Sequence, residues 1–209
     1  TDNVDSKNFN NMVMVGLLLI KDDVRENVKE GINLVNKAHI STVMITGDNI
    51  NTALSIAREI GLYHDGDVSL TGEELNRLSD EELKKIIPKL KVLARVYPHD
   101  KSRLVRVCQE MGLVVGMTGD GVNDAPALKR ADVGFSMGSG NEVAKEASDI
   151  VILDNNFLSI TKAILYGRTI FKSIRKFVML QLTINFCALT LSIVGPYLGI
   201  DTPITIMQM

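Results

Sequence analysis

Apolar positions along the chain fall into short continuous runs separated by stretches of helical spacing. Residues 12–20, 41–46, 92–96, 113–118, 133–137 and 150–153 are rich in Val, Ile and Leu and are bounded by Gly, Asp or Asn, which predicts six strands. Between them, 24–38, 51–60, 98–111, 124–131 and 141–148 carry apolar residues at helical intervals with plausible caps. This alternation predicts an α/β fold, a Rossmann-like parallel sheet with helices on both faces. The polar stretch 65–90 breaks the alternation. It carries Glu and Lys at helical intervals, and Ser79-Asp80-Glu81-Glu82 has the form of a capping box, so it reads as a helical insertion.

A different pattern begins at residue 157. Residues 157–176 are amphipathic and run directly into 177–200, which are 24 residues without a charged side chain between Lys176 and Asp201. At ~1.5 Å per residue that segment crosses a ~30 Å hydrocarbon layer, so it reads as a transmembrane helix in contact with lipid, and 157–176 as the stalk that links it to the sheet. Lys172, Arg175 and Lys176 crowd its upstream flank, which predicts an integral membrane protein with its soluble part in the cytoplasm. Gln181, Thr183, Asn185, Thr190 and Ser192 lie inside the span, so one face is expected to meet other helices or a hydrated path. Gly195-Pro196 and a turn at Asp201-Thr202-Pro203 follow, and 204–209 read as the start of a next membrane helix.

Composition narrows the possibilities. All 23 basic residues precede the span, against 24 acidic ones, so the first 176 residues have a net charge of −1. A nucleic-acid partner held by bulk positive charge is excluded on that ground. Two cysteines, Cys108 and Cys187, are far apart and follow no ligand spacing, which indicates neither a disulfide framework nor a zinc site.

In open parallel sheets, ligands bind beyond the carboxyl ends of the strands. Three such turns are chemically loaded. In Met44-Ile45-Thr46-Gly47-Asp48-Asn49 a hydroxyl and a glycine amide precede a helix N-terminus, which suits a phosphate, although Asp48 or Asn49 as a plain helix cap would explain part of the pattern equally well. In Gly119-Asp120-Gly121-Val122-Asn123-Asp124 two carboxylates four apart on a glycine-rich turn suit one hard cation, with the Asn123 amide free to donate to phosphate. In Tyr97-Pro98-His99-Asp100-Lys101, a lysine in the first turn of a helix opposes the helix dipole and suits a nearby anion, although taken singly a solvated surface lysine explains it as well or better. Together these are parts of a phosphotransfer site built around an aspartyl nucleophile and magnesium.

The runs Thr46-Gly47-Asp48-Asn49, Gly119-Asp120-Gly121-Val122-Asn123-Asp124-Ala125-Pro126-Ala127-Leu128-Lys129 and Ala131-Asp132-Val133-Gly134 resemble the phosphorylation domain of P-type cation-transporting ATPases, a branch of the haloacid dehalogenase superfamily. The resemblance implies that 1–156 are the C-terminal part of that domain and that 177–200 are the fifth membrane helix. It further implies Mg2+ as cofactor and ATP as substrate. Asp120 would be the magnesium ligand and Asp124 would support the same site. Thr46, the amide of Gly47 and Asn123 would hold phosphoryl oxygens, Lys101 would neutralise them, and Asp48 would orient neighbouring polar groups or the nucleotide. Asp22-Asp23-Val24-Arg25 resembles the family's Asp-Pro-x-Arg segment, with Asp23 in place of the proline.

The family's nucleophile lies in an Asp-Lys-Thr-Gly-Thr run that this sequence does not contain, so the remaining domains of a pump are expected as partners. Thr71-Gly72-Glu73 spells the family's actuator loop but lies in the insertion, where it reads as coincidence. Gln181-Leu182-Thr183-Ile184-Asn185-Phe186 and Asp201-Thr202-Pro203-Ile204 resemble plasma-membrane-type calcium pumps, which implies calcium as the transported cation and Asn185 on its path. Ala188 stands where two-site calcium pumps have a glutamate, which implies one calcium per cycle. Two alternatives are a membrane-anchored phosphatase of the same superfamily using Asp22 or Asp23 as nucleophile, and a non-catalytic half that complements a split pump.

Overall fold

The computed structural model describes Gly16, Val24, Arg25 and residues 27–199. The predicted strand at 12–20 apart from Gly16, the candidate nucleophiles Asp22 and Asp23, and the turn and helix start at 201–209 lie outside the described residues.

Helix α1 (Val28–Lys37) packs through Gly31, Ile32 and Val35. A Cβ on Gly31 would come within 2.6 Å of the Phe157 ring, so glycine sets how closely α1 approaches the last helix. Strand β1 (Met44–Ile45) leads to α2 (Ile50–Glu59), which Asn49 caps by accepting the Asn51 amide at 2.9 Å. The helix ends at Gly61, whose φ of 73° an L side chain would resist.

The stretch 65–90 differs from the expected helical insertion. It opens with strand β2 (Val68–Thr71) and only then turns helical, as α3 (Gly72–Arg77), α4 (Asp80–Ile86) and a 3-10 turn (Ile87–Lys89). Val68-Ser69-Leu70-Thr71 alternates apolar and polar, the two-residue period of a half-buried strand, and the charged run after it masks that signal. Thr71 caps α3 and Ser79 caps α4, each in a reciprocal box with Glu74 or Glu82. Thr71-Gly72-Glu73 is therefore the start of a helix.

Strand β3 (Leu90–Ala94) lies between β1 and β2, parallel to both. From Val92 onward its side chains alternate between two cores. Val92 and Ala94 face Ile32, Ala53, Ala57, Ile60 and Leu62, while Leu93 faces Leu75, Leu83, Leu104 and Val107. Helix α5 (Pro98–Glu110) follows, with Pro98 in the first turn, where its missing N–H costs nothing.

The second half repeats the plan. Strand β4 (Gly116–Gly119), a 3-10 turn (Val122–Asp124), α6 (Ala125–Arg130), β5 (Val133–Met137), α7 (Glu142–Glu146) and β6 (Ile150–Ile152) form a parallel sheet ordered β4-β5-β6. One face carries Met117, Ala127, Leu128 and Ala144, the other Phe135, Ile152 and Ile160. Five of the six expected strands are thus present as β1, β3, β4, β5 and β6; with β2 added, they form two three-stranded parallel sheets among the described residues, each covered on both faces. They meet where α5 packs on α6 and where α1 packs on the last helix.

That last helix, α8 (Phe157–Val194), is a single element of 38 residues, ~57 Å long, capped by Asn156 and followed by a 3-10 turn (Gly195–Leu198). Ile160 and Thr161 are buried against the domain, and Arg168 donates to the Ala38 carbonyl at 3.0 Å. From Leu165 to Val194 almost every side chain is exposed. By length and composition this helix suffices to cross a membrane.

Candidate functional site

Lys101 and Asp124 join the two halves. Lys101 enters in the first full turn of α5, after β3, and Asp124 closes the turn after β4; Nζ meets Oδ1 at 2.5 Å, with side chains only 16% and 10% exposed. The other Asp124 oxygen accepts the amides of Asp120 and Gly121 at 3.3 Å. Both carboxylate oxygens are therefore engaged, one with a cation and one with the turn it belongs to. Gly119 makes this possible, since a Cβ there would lie 2.4 Å from the Asp124 Cβ.

The Asp120 side chain is exposed, and among the described residues it has no partner. The loop after β5 supports it from behind: Asn141 N–H donates to the Asp120 carbonyl at 2.8 Å, and a Cβ on Gly140 would approach that carbonyl to 3.0 Å. Asn123 sits on the same turn and is also exposed. Gly140 and Asn141 are functional neighbours; helical spacing over 141–148 marks Asn141 only as a helix start and gives Gly140 no role. Their signal was Gly138-Ser139-Gly140 directly after a strand. Asp132 and Gly134, part of the run that carried the family resemblance, are structural here. Asp132 Oδ2 accepts the Val115 amide at 2.7 Å ahead of β4, and a Cβ on Gly134 would press on the Leu128 carbonyl at 2.9 Å.

In the turn after β1, Thr46 Oγ1 donates to Asp48 Oδ2 at 2.7 Å and accepts the Asp48 amide at 3.1 Å. Asn49 has taken the capping role, which leaves Asp48 to orient the Thr46 hydroxyl. A Cβ on Gly47 would meet nothing within 4 Å, so the side-chain direction there is open. This turn is laced to the β3–α5 turn that carries Lys101: Arg95 N–H donates to the Asp48 carbonyl at 3.1 Å and Val96 N–H to the Thr46 carbonyl at 3.3 Å. Asp100, almost fully buried, accepts the Tyr97 amide at 2.8 Å and fixes the start of α5 immediately before Lys101. Thr46, Gly47, Asp48, Lys101, Asp120, Asn123 and Asp124 thus lie on turns connected directly by hydrogen bonds or an ion pair. Asn185 lies apart, in the exposed stretch of α8.

Whether these residues suit a magnesium ion turns on their donors. Hard divalent cations take oxygen ligands, and magnesium keeps several waters and substrate oxygens in its shell. The unpartnered carboxylate of Asp120 fits that chemistry. Among the described residues no group of three or more His, Cys, Asp or Glu converges, so this chain would supply only part of a shell.

Away from the site, Asp80 is pulled below the ordinary aspartate range by Arg106 and then Arg103, which ties α4 to α5. Glu110 is lowered by Lys84 and then Arg106. Burial raises the Cys108 thiol.

A family model described as haloacid dehalogenase-like hydrolase matches residues 5–132, and a second with the same description matches 104–164. Calcium-transporting ATPase 2 of Schizosaccharomyces pombe is 46% identical over 96% of this chain and 16% of its own length. Calcium-transporting ATPase PAT1 of Dictyostelium discoideum is 49% identical over 89% and 17%, and plasma membrane calcium-transporting ATPase 1 of Mus musculus 44% over 95% and 18%. The chain therefore spans less than a fifth of the length of these relatives. Among solved structures, a zinc-transporting PIB-type ATPase in the E2.Pi state superposes with a TM-score of 0.67 at 27% identity, covering 84% of this chain and 24% of that one.

Proposed function

Because the chain belongs to the haloacid dehalogenase-like hydrolase family, we propose that it is the C-terminal part of the phosphorylation domain, with its stalk and one membrane helix, of an ATP-driven cation pump that carries calcium. The observation that carries this reading is the Lys101–Asp124 pair, which binds the two sheets together at the carboxyl ends of their strands, beside an unpartnered Asp120. The calcium-transporting relatives support the choice of ion.

In this reading a carboxylate from outside the chain accepts the γ-phosphoryl group of ATP. Gly47 donates its amide and Asn123 its side-chain amide to the phosphoryl oxygens. Asp48 holds the single Thr46 hydroxyl proton until those oxygens draw on it, and the hydroxyl then turns from Asp48 to donate to them. Lys101 brings a positive charge to the same oxygens, and Asp124 holds that ammonium in place until an anion draws on it. Hydrolases of this family and P-type ATPases generally use magnesium; bound at Asp120, it would offset negative charge on the phosphoryl group. Asp124 would reach the same ion as Lys101 shifts toward phosphate. The protein is read as integral to a membrane with its sheets in the cytoplasm. The first turns of α8, clamped between the second sheet and α1, would carry a tilt of the domain to Asn185 on the cation path.

The test is acid-quench labelling of the intact protein with radiolabelled ATP, magnesium and calcium. A hydroxylamine-sensitive phosphoprotein that disappears in Asp120→Asn is expected. Steady hydrolysis of a small phosphate ester by this chain alone, lost on Asp22→Asn and Asp23→Asn, would overturn the pump reading in favour of a phosphatase.

A further inference from the structure

The hydroxyl and amide side chains of α8 beyond Lys176 are of two kinds. The hydroxyls of Thr183, Thr190 and Ser192 each close on the carbonyl four residues back, those of Met179, Phe186 and Ala188, at 2.8, 2.8 and 2.9 Å. A hydroxyl satisfied by its own helix asks nothing of a neighbour. Gln181 and Asn185 are the exceptions. Gln181 Nε2 donates to Asn185 Oδ1 at 3.4 Å, and both amides are exposed on one helix face, about 6 Å apart along the axis. Gln181 is the one nearer the basic cluster Lys172, Arg175 and Lys176.

A free asparagine carboxamide turns readily about its last torsion, so its oxygen and its NH2 exchange places at little cost. The two ends are opposite in sign to a cation: the oxygen attracts it and the NH2 repels it. A donor one turn toward the cytoplasm breaks that symmetry, because only the oxygen can accept its N–H.

We propose that Gln181 is a positioning residue for Asn185, holding its oxygen toward the cytoplasmic side so that the second lone pair meets a partly dehydrated hard cation. The inference rests on the pump reading and on Asn185 lying on the cation path. It makes the polar site of the helix a pair of amides in which one donates and the other binds.

The experiment uses the full-length protein that carries this chain. Gln181→Met, Gln181→Glu, Asn185→Ala and the double variant Gln181→Met/Asn185→Ala are compared for the calcium concentration that half-saturates phosphorylation from ATP. Phosphorylation by inorganic phosphate without calcium serves as the measure of an intact fold. Loss of one hydrogen bond, worth about 1 kcal/mol, corresponds to roughly fivefold in that concentration. Gln181→Met is expected to raise it by about that factor with the maximal rate retained, and to change it less than twofold in the Asn185→Ala background, as coupled residues require. Gln181→Glu, which keeps an oxygen but loses the donor, is expected to behave like Gln181→Met. Should Gln181→Glu keep or increase calcium affinity, Gln181 is itself a ligand and the positioning role is overturned. An unchanged Gln181→Met, or an equal loss with and without Asn185, overturns it as well. A wild-type protein without calcium-dependent phosphorylation would overturn the pump reading, and this inference with it.

Discussion

The turn after β1 and the turn after β4 are built from the same parts, a glycine and an aspartate between a strand and a helix, yet they are wired differently. In the first, Asp48 bonds a hydroxyl two residues away and both groups stay on one loop. In the second, Asp124 spends one oxygen on its own turn and the other on Lys101 from the opposite half. The glycines differ in the same sense: Gly47 faces open space, whereas Gly119 lies under the Asp124 side chain. A local pair orients one donor; a long-range pair fixes the geometry between two sheets. The first turn should tolerate change and the second should not.

The largest effect is expected at Lys101. Lys101→Met removes a charged donor from the proposed phosphoryl pocket, for which losses of about 10²–10³ in phosphoryl-transfer rate are typical. It also leaves a mostly buried carboxylate without its cation, at a cost of roughly 3 kcal/mol in unfolding free energy. Rapid-quench labelling and denaturant titration read the two parts separately, and a stable, fully active Lys101→Met would erase the contrast between the turns. Gly119→Ala comes next. Its Cβ cannot fit without moving Asp124, so a loss of about 2 kcal/mol is expected, while Gly47→Ala should stay within ~0.5 kcal/mol. Equal costs at the two glycines would break the comparison. Thr46→Ala should cost under ~1 kcal/mol in stability but still slow phosphorylation, visible as a kinetic effect without a shift in thermal unfolding.

The smallest effect concerns the surface carboxylates. Asp80, Glu74, Glu82, Glu110 and Asp154 all have lowered folded-state pKa values, held by Arg106 and Arg103, Thr71, Ser79, Lys84 and Ser159 first among their partners. A lowered folded pKa gives stability that is complete above the ordinary values of 3.8 for Asp and 4.5 for Glu. It is lost as pH falls through the lower folded values. Unfolding temperature should therefore be flat near neutrality and decline below about pH 4.5, with Asp80→Asn blunting the decline slightly.

Much of this architecture was readable from residue order. Val133–Met137 forms a strand at the bounds its apolar run indicated, and Pro98 and Ser79 mark helix starts as their chemistry requires. The chemically loaded turns were legible because glycine, aspartate and lysine are costly there without a reason. Strand β2 was hidden because four alternating residues carry less signal than the charged helices after them. The division of labour between Asp120 and Asp124 was hidden too. Spacing shows that two carboxylates share a turn, but only packing shows that one is already taken by Lys101 and two backbone amides. The roles of Gly140 and Asn141 depend on a neighbouring strand's loop, which local sequence does not encode.

The central claim is that turns from both sheets meet at one phosphoryl group. Its most direct test is an experimental structure of the intact protein trapped with magnesium and beryllium fluoride, a mimic of a bound phosphoryl group. Thr46 Oγ1 and Lys101 Nζ are expected within about 3.5 Å of the same fluoride cluster, with Asp120 on the magnesium. A cluster contacted from only one of the two sheets, with Lys101 still closed on Asp124 and turned away from it, would contradict the account.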